Sequence, residues 1–138
     1  MYHCHLRLYC VGHRQELFAP VKETAPLEPF THTFLESEEP DSALAAQASI
    51  VFADLTGRNA VETTRTLAQS GTALIVLGTR EQLSQLTDLL PALTDLWPLL
   101  MSEEELRFRF QKWQQTCHQE KDLWESRQYL EAAINSVP

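Results

Sequence analysis

Asp54 stands where a short apolar run ends. Ser49-Ile50-Val51-Phe52-Ala53 leads into it and Leu55-Thr56-Gly57 follows. The run has about a strand's length and is apolar on both faces, as a central parallel strand covered by helices on both sides would be. In such sheets ligands gather just outside the carboxyl ends of the strands. A carboxylate there is placed for chemistry, or else caps the helix that follows.

A second group of chemically capable residues crowds the start of the chain: His3, Cys4, His5, Cys10 and His13. His3 and His5 would share one face of a strand, and Cys10-Val11-Gly12-His13 has a Cys-x-x-His spacing. Imidazole and thiolate both bind zinc, so a small metal or redox site is one reading of this cluster. A matching second ligand pair is missing, and the sequence alone favours no bound metal. Gly57-Arg58-Asn59 could receive a phosphate at a helix N-terminus, but one glycine is far from a glycine-rich loop. Ser49, Ser70 and Ser84 lack the context of a nucleophile elbow. No hydrolase or transferase motif stands out, and the chain reads as non-enzymatic by itself.

The elements that must hold Asp54 can be traced in order. Leu6 to Gly12 reads as a first strand ending in a turn. Arg14 to Val21 is a short helix cut by Pro20, and Lys22 to Pro29 is loop. Phe30 to Leu35 alternates as a second strand. Asp41 is placed to cap a short helix, Ser42 to Ala48. After the Asp54 strand, Gly57 to Ser70 is helical, with Val61, Thr64, Leu67 and Ala68 on one face and Gly71 as its C-terminal cap. Thr72 to Leu77 is a fourth strand closed by Gly78-Thr79-Arg80. Glu81 to Leu90 is a helix stopped by Pro91, with Leu83, Leu86 and Leu90 inward. Asp95 to Leu99 is a short fifth strand, whose Trp97 would lie beside Asp54. This alternation predicts a three-layer α/β sandwich with right-handed crossovers.

From Ser102 the character changes. Ser102-Glu103-Glu104-Glu105 carries a capping box, and neither Gly nor Pro recurs before Pro138. A helix of roughly thirty-five residues, about 50 Å long, follows. Leu106, Phe110, Trp113, Cys117, Glu120 and Trp124 keep the four-three spacing of a coiled-coil seam, and a second register, Leu123, Leu130, Ile134 and Val137, takes over downstream. The first turns are expected to pack on the sheet. Beyond Cys117 the helix should leave the body and pair with a second copy.

The bulk numbers set limits. The chain has 138 residues, 43% of them hydrophobic, and a net charge of −8. That is one ordinary domain with a real core. Its acidity argues against nucleic acid and anionic membranes as partners. No apolar run has the length of a membrane span, the first ten residues do not read as a signal peptide, and three cysteines suit free thiols in a reducing compartment. A cytoplasmic location is the expectation.

Strand-by-strand, residues 5 to 115 resemble a response-regulator receiver domain, with Asp54 at the phosphoacceptor position. The resemblance implies a flavodoxin-like (CheY-like), five-stranded parallel sheet. It also implies that residues 1–113 form the receiver-like domain and 114–138 a helical linker. The tail from Glu125 to Pro138 resembles the helix that leads into a PAS sensor domain, an arrangement that precedes a GGDEF diguanylate cyclase or a sensor histidine kinase. A working receiver needs an acidic pair after its first strand for Mg²⁺; here Cys10, Val11 and Gly12 stand there. It needs Ser or Thr after the fourth strand, where Gly78 falls with Thr79 next. It needs Lys before Pro after the fifth, where the order is Trp97-Pro98-Leu99. No Lys or Arg lies between Arg80 and Arg107. The resemblance therefore implies a degenerate, pseudo-receiver module with no required cofactor. It would dimerise through its last helix and pass a signal to PAS and output domains, with or without a protein signalling partner. A phosphorylatable receiver using other Mg²⁺ ligands is the alternative.

Overall fold

In a computed structural model, residues 4–55, 60–69, 71–98 and 102–135 are described. Five parallel strands form one sheet: β1 (His5–Val11), β2 (Thr31–Ser37), β3 (Ile50–Asp54), β4 (Leu74–Gly78) and β5 (Asp95–Pro98). Their order is β2-β1-β3-β4-β5. The chain steps outward from β1 to β2, then returns across β1 to β3, so the order reverses between β1 and β3. This is the flavodoxin-like, three-layer arrangement that the alternating pattern predicts.

Every residue of β3 and β4 is buried, which explains why both read as unbroken apolar runs. On one face, Tyr9, Val51, Ala53 and Val76 pack under α2 (Ser42–Gln47), α3 (Ala60–Gln69) and α4 (Arg80–Ser84). On the other, Leu8, Cys10, Phe52, Ile75 and Trp97 pack under α1 (Ala19–Glu23) and α5 (Glu103–Asn135). Asp41 caps α2 by accepting hydrogen bonds from the backbone amides of Ala43 and Leu44. Gly71 follows α3 with φ +79, the left-handed conformation of a glycine cap.

Two local expectations give way. Pro20 does not cut a helix: a 3-10 turn spans Gln15–Phe18 and α1 then runs through Pro20 to Glu23. Proline in a first turn forfeits no intrahelical bond, because that N–H would have no partner anyway. Nor is there a continuous helix from Glu81 to Leu90. The segment breaks into α4 and a 3-10 turn, Thr87–Ala92, which contains Pro91. Three residues per turn align Leu83, Leu86 and Leu89 inward, and Leu90 is left 48% exposed.

α5 is 33 residues long, about 50 Å. Ser102 Oγ accepts from the Glu105 amide at its start. Leu106 and Phe110 enter the core, and Gln114, only 4% exposed, accepts from the Leu27 amide and donates to the Ala25 carbonyl. Arg107 pairs with Glu23 of α1 at 2.9 Å, and His118 meets Phe30 edge-on. The body therefore holds α5 past residue 113, the boundary expected from sequence. From Glu125 to Ile134 every residue is exposed. Among the described residues no helix is long and apolar enough to cross a membrane.

Phe110 is fully buried and Ile134 is 70% exposed. Phe110→Ala is expected to cost about 3–5 kcal/mol in urea unfolding. Ile134→Ala should stay within about 0.5 kcal/mol in dilute protein.

Candidate functional site

Crevices for ligands in open α/β sheets form where strand order reverses, at the strands' carboxyl ends. Here that point lies between the ends of β1 and β3, where Val11 pairs with Ala53. Gly12 and Asp54 are the next residues on each strand, so topology brings them together. Their contact is unusually close. A β-carbon built on Gly12 would sit 2.6 Å from Cβ of Asp54 and 3.3 Å from its Oδ2, and Gly12 has φ +151. Backbone conformation and space both require glycine.

The Asp54 side chain is 1% exposed, and Arg14 Nε lies 3.7 Å from its Oδ2, with the Arg14 side chain 46% exposed. A nearly buried carboxylate thus has its cation at the mouth of the crevice. Arg14 is close enough to serve as counter-charge without any metal. The sequence reading placed Arg14 only as the first residue of a helix and missed this role. A cation two residues beyond the strand-end glycine was the available signal.

Two glutamines brace the crevice and also escaped the sequence reading. Gln15 Nε2 donates to the carbonyls of Cys10, Gly12 and Ser37 at 3.2, 3.0 and 3.3 Å. Gln82 Nε2 donates to the Leu55 carbonyl at 2.8 Å. Gly78 is confined as well, since a β-carbon there would meet Leu55 Cδ1 at 2.9 Å. Thr79 caps α4 in a capping box with Gln82, so its hydroxyl accepts from the Gln82 amide at 3.3 Å.

Trp97 departs from its expected place. Its backbone is level with Leu77, which is level with Asp54. The indole, however, is fully buried on the α5 face, 5.5 Å from the Phe52 ring, and donates from Nε1 to Asp95 at 2.9 Å. It faces back toward the start of β5. A large ring at a core-facing strand position gains more by burial there than at the rim. Thr56, Gly57, Arg58 and Asn59 lie outside the described residues, and the phosphate reading of Gly57-Arg58-Asn59 with them.

The N-terminal His/Cys group does not assemble. His3 is outside the described residues. His5 faces Thr31 and Thr33, whose hydroxyls it meets at 2.7 and 3.0 Å. Cys10 is in the core, and burial pushes its thiol up to about 12. His13 is at the strand's other end, 3.6 Å from Glu38 and 3.2 Å from Glu39. Among the described residues no three His, Cys, Asp or Glu side chains could hold a metal ion together.

The helix residues expected at a dimer seam divide differently. Leu106 and Phe110 are core, and Trp113 stacks on Phe110 at 5.5 Å. Cys117 and Trp124 are half-buried on that same body-facing side. A 3.6-residue turn puts Phe108, Leu123, Leu130 and Ile134 on another stripe, and all four are exposed, at 65, 57, 59 and 70%.

No family model and no curated protein sequence matches the chain. Solved structures do. A response regulator from Colwellia psychrerythraea superposes with a TM-score of 0.58 at 17% identity, over 80% of this chain and 98% of that one. NtrX from Brucella abortus gives 0.61 at 13% identity; the match covers 89% of this chain but only 30% of NtrX. An adenylate cyclase structure from Rhodopirellula baltica gives 0.53 at 13% identity, over 88% and 98%. At these identities the likeness is one of fold, the CheY-like α/β sandwich.

Gly12 and Gly71, the two positive-φ glycines among the described residues, separate backbone conformation from crowding, because nothing lies within 4 Å of a β-carbon on Gly71. Each Gly→Ala substitution should cost about 1–3 kcal/mol for conformation. Gly12→Ala should cost measurably more than Gly71→Ala in chemical denaturation, and equal costs would remove the Asp54 contact from the account.

Proposed function

We propose that this chain is a degenerate receiver, a regulatory module that works without phosphorylation and hands its state to whatever follows through α5. The observation that carries the reading is the fit of Gly12 against Asp54. A receiver's Mg²⁺ is held by carboxylates at the end of β1, and no side chain fits at Gly12 beside the phosphoacceptor position. Arg14 supplies the charge opposite Asp54 that a metal would otherwise supply. The CheY-like fold supports the receiver part of the reading, and the exposed turns of α5 support its use as an output.

The module belongs, on this reading, at the front of a signalling protein with PAS and either diguanylate cyclase or histidine kinase domains. It is not an enzyme itself. Its second copy pairs along Leu123, Leu130 and Ile134 rather than along the residues that dock α5 on the body. Leu123 and Leu130 are one heptad apart, and each is more than half exposed.

A ¹H–¹⁵N spectrum recorded with and without Mg²⁺ and beryllofluoride, a mimic of the phosphoryl group, tests the site. No change is expected at Gly12, Asp54, Gly78 or Thr79. Shifts there that vanish in Asp54→Asn would establish a competent receiver instead. Sedimentation velocity tests the pairing: reversible association is expected, weakened at least several-fold by Leu123→Ser with Leu130→Ser. A strict monomer at high concentration would refute it.

A further inference from the structure

His32 is the second residue of β2, on the face where α5 docks. Strand alternation aligns it with Phe34 and Glu36, and it pairs with Leu6 of β1. Its ring meets those of Phe34 and Phe110 edge-on, with centroids 6.2 and 5.8 Å away. Nδ1 and Nε2 are both shut off from solvent, and neither has a hydrogen-bond partner. A neutral imidazole has one donor and one acceptor to satisfy, and an imidazolium has two donors and a charge. The site meets none of these needs, so the charged ring, with more to satisfy, is the costlier form to hold there.

The surroundings do not favour a positive charge. Just before β1 the Cys4 carbonyl accepts from the Thr31 amide, and from β1 comes His5, on the opposite face with Thr31 and Thr33. From α1 comes Lys22, ion-paired to Glu36, the carboxylate on the His32 row. On α5, His118 meets Phe30, two residues before His32, and lies 3.2 Å from Asp122, and Lys121 pairs with Glu125. Glu36, Asp122 and Glu125 are each engaged with another group.

We infer that His32 is an acid-sensitive latch, whose protonation drives the ring out from between Phe34 and Phe110 and loosens α5 from the β2 edge of the sheet. Burial, and then the His5 ring, hold His32 below the usual imidazole range. The sign follows. An unfolded chain binds the proton around pH 6.5, while the folded chain resists it to lower pH. Between those points the unfolded state carries more protons, so stability is full above about 6.5 and declines as pH falls through that window. Because α5 continues beyond the body, loosening its docked turns changes the position of the exposed ones. This inference does not depend on whether Asp54 is phosphorylated.

The test uses the full chain. Imidazole resonances titrated by NMR should place the His32 midpoint below 6.5; a midpoint at or above 6.5 overturns the inference. Hydrogen exchange, corrected for its intrinsic pH dependence, should rise several-fold in β2 and in residues 103–121 between pH 7.5 and 5.5, and much less in β3 and β4. The rise should disappear in His32→Leu and persist in His5→Asn and His118→Gln. No rise in the wild type, or the same rise in His32→Leu, overturns it. If His32→Leu does not fold, the wild-type titration and exchange still decide.

Discussion

The Phe52 ring fixes the α5 side of the molecule. It lies 5.5 Å from Trp97, 6.1 Å from Phe110 and 6.1 Å from Trp113. Aromatic rings of this size bury large areas and tolerate few arrangements, so one strand residue sets both the depth and the rotation of the long helix. The rotation decides everything outward. With Phe110 and Trp113 turned in, Phe108, Leu123, Leu130 and Ile134 must turn toward solvent. The same packing draws Trp97 into the core and leaves the rim of the crevice to smaller groups.

Much of this was legible in the sequence, because it rests on periodicity. Unbroken apolar runs gave β3 and β4, and the Asp41 cap, the Gly71 stop and the Ser102 start follow from local backbone chemistry. The length of α5 followed from an absence of Gly and Pro. What failed was what depends on a neighbour far along the chain. Leu83, Leu86 and Leu90 fit a helical face as well as Leu83, Leu86 and Leu89 fit a 3-10 face, and only packing against the sheet chooses between them. The four-three spacing of Leu106, Phe110, Trp113 and Cys117 is likewise the same whether the seam meets a second helix or a sheet.

The crevice was half legible. Asp54 and Gly12 could be placed from strand ends and topology. Their contact could not, since it is a matter of 2.6 Å between segments forty-two residues apart (54 − 12). Arg14, Gln15 and Gln82 act through side chains that reach over a turn to backbone carbonyls or a carboxylate, and no spacing rule announces such reach. The His/Cys group shows the converse. Its four described members, Cys4, His5, Cys10 and His13, lie near one another in sequence but are spread along and beyond β1, a strand that sends alternate residues to opposite faces.

The two ends of this module are mechanically unequal. At the crevice, Gly12 abuts Asp54, Gln15 ties three carbonyls together and Arg14 closes the mouth. Along α5 the holding contacts are of another kind. Apolar burial at Leu106 and Phe110 is followed by polar clasps to separate segments: Arg107 to α1, Gln114 to the backbone of Ala25 and Leu27, and His118 beside Phe30. Coupling between distant places needs an element with two states that both can bias. A helix held at its middle by a handful of polar contacts, and exposed from Glu125 to Ile134, has the form such an element needs, and a glycine wedged on a buried aspartate does not. On the proposed reading, control would therefore act at the seam between α5, β2 and the 24–30 loop rather than at the strand ends.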